Sequence, residues 1–132
     1  MQGMCKLDIV ELPEYKLPQK PSVGDISVAL KKESTQIFSR IPAGSKLVAM
    51  CIEGQKLSSE KLAERIEDYS LCSSKITFVI GSSHGLDTEV KNKADLRLSM
   101  SDMTFPHQLT RLILCEQVYR ALSINSGSKY HK

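Results

Sequence analysis

The chain has 132 residues, of which 41% are hydrophobic and 25% are charged, and its formal net charge is +3 at pH 7. This length predicts a single domain with a sizeable core. The mildly basic charge is compatible with an RNA partner without requiring one, and the lack of tryptophan argues against an aromatic platform for base stacking.

The cysteines Cys5, Cys51, Cys72 and Cys115 form no C-x-x-C pair and have no histidine at metal-ligand spacing. Cys51 and Cys115 lie in apolar runs, which is typical of core thiols, and unpaired thiols indicate a reducing compartment. No apolar run approaches the roughly 18 residues of a membrane span, and the N-terminus lacks the pattern of a signal peptide. We therefore expect a cytoplasmic protein with no metal site and no membrane association.

The first part of the chain predicts two strands separated by a helix. Residues 6–12 (KLDIVEL) alternate as a strand does, and the proline-containing segment 13–21 is a loop. Residues 23–41 predict a helix that ends before the next proline. Residues 46–52 (KLVAMCI) are continuously apolar, which predicts a strand covered on both faces. The imperfect apolar face of the helix is formed by Ile26, Ala29, Ile37, Phe38 and Ile41.

A turn and an amphipathic helix follow this apolar strand. Residues 53–55 predict the turn, and Ser58 or Ser59 can cap the helix, which ends before Ser73. The apolar face of this helix is formed by Leu62, Ala63, Ile66 and Tyr69.

The next segment predicts a strand, a short helix and a second strand. Residues 75–80 (KITFVI) are the clearest strand and run directly into the loop 81–85 (GSSHG). Residues 87–93 predict a short polar helix, and residues 95–99 predict the further strand.

Residues 100–120 (MSDMTFPHQLTRLILCEQVYR) join a polar loop to the helix that we expect to be the most amphipathic of the chain. Pro106 suits the first helical position, where a missing N–H costs nothing. The loop then ends on a helix N-terminus, whose free N–H groups can hold an anion or a carbonyl-like group. The apolar residues that recur at near-helical intervals are Leu109, Leu112, Ile113, Cys115, Val118, Ala121 and Leu122.

Strands that alternate with helices predict an α/β fold with a largely parallel sheet. Ligands bind such sheets at the carboxyl ends of the strands, where loops 53–55, 81–85 and 100–105 lie. The glycines of loop 81–85 allow close backbone approach to a ligand, but the loop matches neither G-x-G-x-x-G nor a P-loop. The sequence of residues 81–85 is compatible both with a plain strand–helix turn and with a ligand-binding loop.

The histidines His84, His107 and His131 are too dispersed to indicate a metal site. His107 can cap or orient the loop before it, or act as a general base. A basic cluster near the C-terminus can contact phosphate and stack on a base, or it is simply a solvated helix face with a terminal tail. The cluster consists of Arg111, Arg120, Lys129 and Lys132, with Tyr130 and His131.

Four segments taken together resemble a known family. They are FVIGxxxGL at residues 78–86, LSxxxMTFPHQ at 98–108, EQVYRA at 116–121 and YHK at 130–132. They closely resemble the RlmH family, the bacterial 23S rRNA pseudouridine N3-methyltransferases, which are minimal members of the SPOUT class. The resemblance runs from about Lys6 to the C-terminus.

The resemblance implies a SPOUT-type α/β trefoil knot with a mainly parallel sheet and helices on both faces, with knot and pocket in about residues 75–132 of a single domain. It also implies a homodimer whose active site is completed across the interface. The methyl donor would be S-adenosyl-L-methionine. The implied cofactor contacts are Met50, Gly81, Met100, Ser101, Asp102, Met103, Thr104 and Phe105.

The implied activity is methylation of N3 of a pseudouridine in the 23S rRNA of the assembled ribosome. The N3 proton needs a base, for which His131 and Tyr130 are candidates, with His107 behind them. The implied RNA contacts are Arg111, Arg120, Lys129 and Lys132. The alternatives are a non-catalytic RNA- or ribosome-binding remnant of the same fold and a small-molecule-binding α/β domain unrelated to RNA.

Two departures from the family pattern accompany the resemblance. Family members usually begin with a strand and a helix ahead of the segment that matches residues 6–12, and their absence would leave an exposed sheet edge. Ser82 stands where the family usually has a second glycine, and Gln55 stands where it usually has a lysine.

Overall fold

Four helices and three strands form the part of the chain that this computed structural model describes, residues 9–12, 17–81, 85–101 and 103–127. In chain order they are α1 (Val23–Arg40), β1 (Lys46–Lys56), α2 (Ser59–Cys72), β2 (Ile76–Ile80), α3 (Thr88–Lys93), β3 (Leu96–Ser99) and α4 (His107–Asn125).

The three strands form one parallel sheet in the order β2-β1-β3. The β1 residues from Lys46 to Met50 pair with the β2 residues from Ile76 to Ile80. On the other side of β1, Val48 pairs with Leu96 of β3. The predicted α/β fold with a parallel sheet is therefore confirmed, while the trefoil knot stays a prediction.

Alternate side chains of β1 enter two separate hydrophobic layers, because successive side chains of a strand point to opposite faces. Val48 and Met50 pack in the layer under α2 and α4, with Leu62, Ile66, Leu98, Leu114 and Ala121. Leu47 and Ala49 pack in the layer under α1 and α3, with Val79, Leu86 and Val90. Both layers are buried, so the prediction that the apolar run 46–52 is a strand covered on both faces holds for its central residues.

Local capping explains where the helices begin. Ser22 and Asp25 form a reciprocal capping box at the start of α1. The Ser58 hydroxyl accepts a hydrogen bond from the backbone N–H of Lys61 at 3.1 Å, which makes Ser58 the cap of α2. Asp87 caps α3 in the same way.

The turn predicted at residues 53–55 is wrong, because β1 continues through them to Lys56. The pairing register with β3 breaks between Met50 and Gln55, and both of these residues pair with Leu98. Residues 51–54 therefore form an irregular excursion of β1, of the kind that a β-bulge makes. Glycine and polar residues predict a turn, but here the pairing with β3 on the far side of the excursion keeps the segment in the sheet.

The strand predicted at residues 6–12 is not observed in its described part, residues 9–12. Ile9 and Val10 are both more than half exposed. An alternating pattern becomes a strand only when another strand accepts its backbone hydrogen bonds. Residues 9–12 pair with none of the three strands of the described sheet. Residues 6–8 lie outside the described part.

Helix α4 is not the most amphipathic helix, because its apolar side chains surround it more evenly than those of α1 or α2. Leu114 and Ala121 are buried against the sheet side, whereas Leu112 is 66% exposed on the opposite side. The helix therefore has two apolar faces. Pro106 also lies one position earlier than predicted, at the N-cap, because its ψ of 141° is extended and the helix starts at His107.

Candidate functional site

A cleft of about 730 Å³ opens at the carboxyl-terminal edge of the parallel sheet. At this edge β2 and β3 end, and β1 stops pairing with β2. This is the edge of a parallel sheet where ligands bind, and the volume is within the range of small-molecule sites. Its wall is formed by Met50, Cys51, Ile52, Glu53, Ile80, Gly81, Gly85, Leu86, Lys91, Leu98, Ser99, Met100, Ser101, Met103, Thr104, Phe105, Pro106 and Thr110.

The end of β2 reaches the cleft through a close backbone approach between two glycines. A Cβ atom added to Gly81 would lie 2.4 Å from the carbonyl oxygen of Gly85 and 3.0 Å from the Leu86 side chain. Gly85 has a φ of +86°, a conformation that favours glycine. Both glycines are therefore required for the wall to have this shape, and they leave backbone groups facing the cleft.

The excursion of β1 packs against β3 at a third glycine, Gly54. A Cβ atom added to Gly54 would lie 2.8 Å from the backbone carbonyl of Arg97 on β3. Because this position has no side chain, β1 can lie directly against β3 after its register break. The excursion thereby places Cys51, Ile52 and Glu53 on the wall.

The loop after β3 closes the cleft on a third side, and it contains two local hydrogen bonds. The hydroxyl of Ser99 donates to the carbonyl of Ser101 at 3.0 Å. The hydroxyl of Ser101 accepts from the backbone N–H of Met103 at 3.0 Å. Phe105 is half-buried on the wall, and the loop then enters α4 through Pro106.

One ion pair lies on the cleft wall. The ammonium group of Lys91 on α3 donates a hydrogen bond to Oε1 of Glu53 on the β1 excursion. This hydrogen bond lowers the pKa of the Glu53 carboxyl below its ordinary value. Burial, followed by the negative charge of Glu53, raises the pKa of the neighbouring Cys51 thiol, which therefore stays protonated at neutral pH.

The structure brings most of the predicted cofactor residues together on the cleft wall. They are Met50, Gly81, Met100, Ser101, Met103, Thr104 and Phe105. Asp102 lies outside the described residues. Their role in binding a cofactor stays a prediction, but seven residues from three separate segments of the chain share one cleft.

The predicted catalytic and RNA-binding residues are only partly described. His107 is the first residue of α4, with its side chain outside the described part, as are the whole residues Tyr130, His131, Lys129 and Lys132. Arg111 pairs with Glu11. Arg120 makes a two-point contact with Glu116 at 2.8 and 3.2 Å, so a phosphate would compete with that carboxylate.

Sequence reasoning missed Glu53 and Lys91 as wall residues. The sequence pattern predicts a turn at Glu53, and Lys91 is one of several charges on a short polar helix. No sequence pattern predicts that these two side chains are in contact, since they are 38 positions apart. The three glycines at positions 54, 81 and 85 were visible in the sequence, and they mark the places where backbone segments touch.

The described residues contain neither a cluster of metal-binding side chains nor a helix suited to crossing a membrane. No group of three or more His, Cys, Asp and Glu side chains there is arranged to hold a metal ion. No helix in the same part of the chain is both long enough and apolar enough to cross a membrane.

Comparison with known proteins gives one consistent result. The family model described as "Predicted SPOUT methyltransferase" matches residues 1–131. A protein of Clostridioides difficile strain 630 named "Ribosomal RNA large subunit methyltransferase H" is 47% identical over 129 residues, which cover 97% of this chain and 81% of that protein. Proteins of the same name from Acetivibrio thermocellus and Bacillus cytotoxicus are 45% and 42% identical, over 97% and 100% of this chain and 81% and 84% of their own lengths.

Proposed function

The chain belongs to the RlmH family of SPOUT methyltransferases, as its sequence motifs predicted, and from this premise we propose that it methylates the RNA of the large ribosomal subunit. In the finer form of the proposal, S-adenosyl-L-methionine is the donor and N3 of a pseudouridine in the 23S rRNA of the assembled ribosome is the acceptor. The protein would then act in the cytoplasm, where the ribosomes are.

The observation that carries the proposal is the cleft at the strand ends, because its shape and chemistry fit an adenosyl group. Apolar side chains of Met50, Met100 and Phe105 offer surfaces for the faces of a purine. Glycine at position 81 lets the backbone of Gly85 pack against the end of β2, so the cleft wall at this point consists of backbone. These two features come from separate segments of the chain that meet only in the folded protein.

When bound, S-adenosyl-L-methionine supplies an electrophilic methyl group on a positively charged sulfur. The cleft residues have to hold the adenosyl part so that the methyl carbon faces the pseudouridine N3, and such alignment supplies much of the rate acceleration. A base has to accept the N3 proton, and we assign this role to His131 or Tyr130, with His107 as the further candidate. Arg111, Arg120, Lys129 and Lys132 would contact rRNA phosphates.

We further propose that the protein works as a homodimer. Leu109 and Leu112 are separated by one turn on the outer face of α4, where both are exposed. Pro106 and Thr110 of the same segment line the cleft, so a second copy on this face would lie beside the site. A Leu112→Asp variant is expected to be monomeric in light-scattering measurements, whereas Leu71→Asp, which changes an even more exposed leucine of α2, is expected to keep the wild-type mass.

The test of the activity uses ribosomes that lack the modification. Wild-type protein and radiolabelled S-adenosyl-L-methionine are added to intact ribosomes or to free large subunits, and the modified nucleoside is identified by mass spectrometry. Transfer to pseudouridine in intact ribosomes supports the proposal. Saturable donor binding without transfer to any ribosomal RNA would favour the non-catalytic RNA-binding remnant instead.

Histidine variants in the same assay test which residue accepts the N3 proton. His131→Ala is expected to lower the rate of transfer by about 100-fold or more while leaving donor binding unchanged. His107→Ala serves as the comparison. Unchanged turnover in His131→Ala would remove that residue from the role of base.

The RNA contacts are tested by salt dependence. Arg111→Ala is expected to weaken ribosome binding and to lower its dependence on salt concentration, because fewer counterions are released. Lys61→Ala, on the exposed face of α2, is the matched control and is expected to leave both quantities unchanged.

A further inference from the structure

The carboxylate of Glu53 is an acidic group on the cleft wall that the family resemblance does not assign. It is the only Asp or Glu side chain among the described residues that line the cleft. Its side chain is 56% exposed, so solvent or a ligand can reach it. Two structural features place it there: the excursion of β1 and the close approach of Gly54 to β3.

The position of this carboxylate is held by Lys91. The Lys91 ammonium group reaches from α3 to Oε1 of Glu53 and is itself only 24% exposed. An ionised carboxylate can accept about four hydrogen bonds. Lys91 and the backbone N–H of Glu53 itself already donate to this carboxylate, which leaves acceptor capacity for a donor group of a ligand.

The surrounding charges select which donor group fits. Lys91 is in direct contact with the carboxylate, and the positive charge of Arg97 also acts on Glu53 and on Cys51. A ligand ammonium group at this place would be repelled by both cations. A hydroxyl group is neutral and meets no such repulsion, so the site favours hydroxyl donors.

From this arrangement we propose that Glu53 binds the ribose hydroxyl groups of the adenosyl ligand, with Lys91 as the positioning residue that orients the carboxylate. The inference rests on the proposed function, because it requires that the cleft binds S-adenosyl-L-methionine. Carboxylates at the ends of parallel strands bind ribose hydroxyls in other nucleotide sites, which shows that the chemistry is suitable.

Calorimetry of wild-type protein and of Glu53→Gln tests the proposal with two ligands. S-adenosylhomocysteine has both the ribose and the ammonium group, whereas 5′-methylthioadenosine has the ribose and lacks the ammonium group. We expect Glu53→Gln to bind both ligands about 10-fold more weakly, the loss associated with one hydrogen bond to a charged group. A loss confined to S-adenosylhomocysteine would place Glu53 at the ammonium group and overturn the proposal.

A change of ligand tests the same contact without a change in the protein. Removal of the 2′- or the 3′-hydroxyl from 5′-methylthioadenosine is expected to weaken binding to wild-type protein about 10-fold for at least one of the two analogues, and to weaken binding to Glu53→Gln by much less. Equal affinity of wild-type protein for both deoxy analogues and for the parent ligand overturns the proposal, even if Glu53→Gln fails to fold.

Two further variants test whether the loss of affinity in Glu53→Gln is specific to the carboxylate on the cleft wall. Glu89→Gln makes the same chemical change at an exposed residue of α3 that does not line the cleft, and its affinities should equal those of wild type. Lys91→Met keeps the carboxylate but removes its positioning partner, and it should weaken both adenosyl ligands by a smaller factor than Glu53→Gln. Wild-type protein that binds no adenosyl ligand overturns the proposed function and this inference together, whereas normal binding by folded Glu53→Gln overturns this inference alone.

Discussion

The substitution Gly81→Ala tests the close backbone approach that shapes the cleft. The added Cβ atom would lie 2.4 Å from the carbonyl oxygen and 2.5 Å from the carbonyl carbon of Gly85. It would also lie 3.0 Å from Cγ of Leu86, a buried residue of the layer under α1 and α3. The main obstacle is backbone, so no flexible side chain can turn away to relieve the clash.

The magnitude follows from the size of the overlap. An ordinary contact between these atoms is about 3.4 Å or more, so the segment at Gly85 has to move by about 1 Å. Inserting a methyl group into a packed site costs about 1–3 kcal/mol, and a backbone obstacle places this change at the upper end, about 3 kcal/mol. For a domain of this size, we expect the melting temperature to fall by about 10 °C.

Thermal unfolding followed by circular dichroism measures this change, and calorimetry with S-adenosylhomocysteine measures its effect on the cleft. The affinity is expected to fall as well, because both glycines line the cleft. Gly24→Ala is the matched control: its Cβ atom would meet only the Ser22 hydroxyl at 3.7 Å, inside a helix where alanine is favoured, so it should raise stability slightly. A melting temperature of Gly81→Ala within about 2 °C of wild type would refute the reasoning.

Three further measurements test other parts of the structure. Ser123 is fully buried and its hydroxyl has no hydrogen-bond partner among the described residues, so Ser123→Ala is expected to leave the free energy of unfolding unchanged or to raise it by up to about 1 kcal/mol in urea titrations. Ser22→Ala removes the capping box of α1 and should lower the same quantity by about 1 kcal/mol. The pKa of Glu53 is lowered in the folded state by Lys91, so the pair stabilises the fold fully above the ordinary carboxyl pKa of 4.5, and this contribution is lost as the pH falls below 4.5 and through the lowered pKa. Lys91→Met should remove this part of the acid dependence, and an unchanged pH profile would contradict the pairing.

Helix α2 shows how much of the fold can be predicted from a short segment of sequence. Ser58 was one of two predicted caps, and Leu62, Ala63 and Ile66 were predicted on its apolar face. The structure places Ser58 at the cap and buries all three apolar residues. Capping and amphipathic spacing depend on residues within a few positions of each other, so a single segment contains the information.

The excursion of β1 shows what local sequence could not determine. Residues 53–55 have the composition of a turn, yet β1 passes through them because Gln55 and Lys56 pair with Leu98 and Ser99 of β3. The energy of this pairing comes from a strand about 40 residues further along the chain. Residues 9–12 show the opposite case, where a strand-like pattern has no partner in the described sheet and stays outside it.

The sequence by itself determined the α/β class, most of the helix and strand positions and the family, because caps, periodicity and the TFPHQ motif are properties of contiguous residues. Only the tertiary structure decided which residues share a wall. Glu53 and Lys91 meet because Gly54 lets β1 lie against β3 and because α3 packs beside that excursion. Such a contact depends on the packing of several elements at once, and no spacing along the chain encodes it.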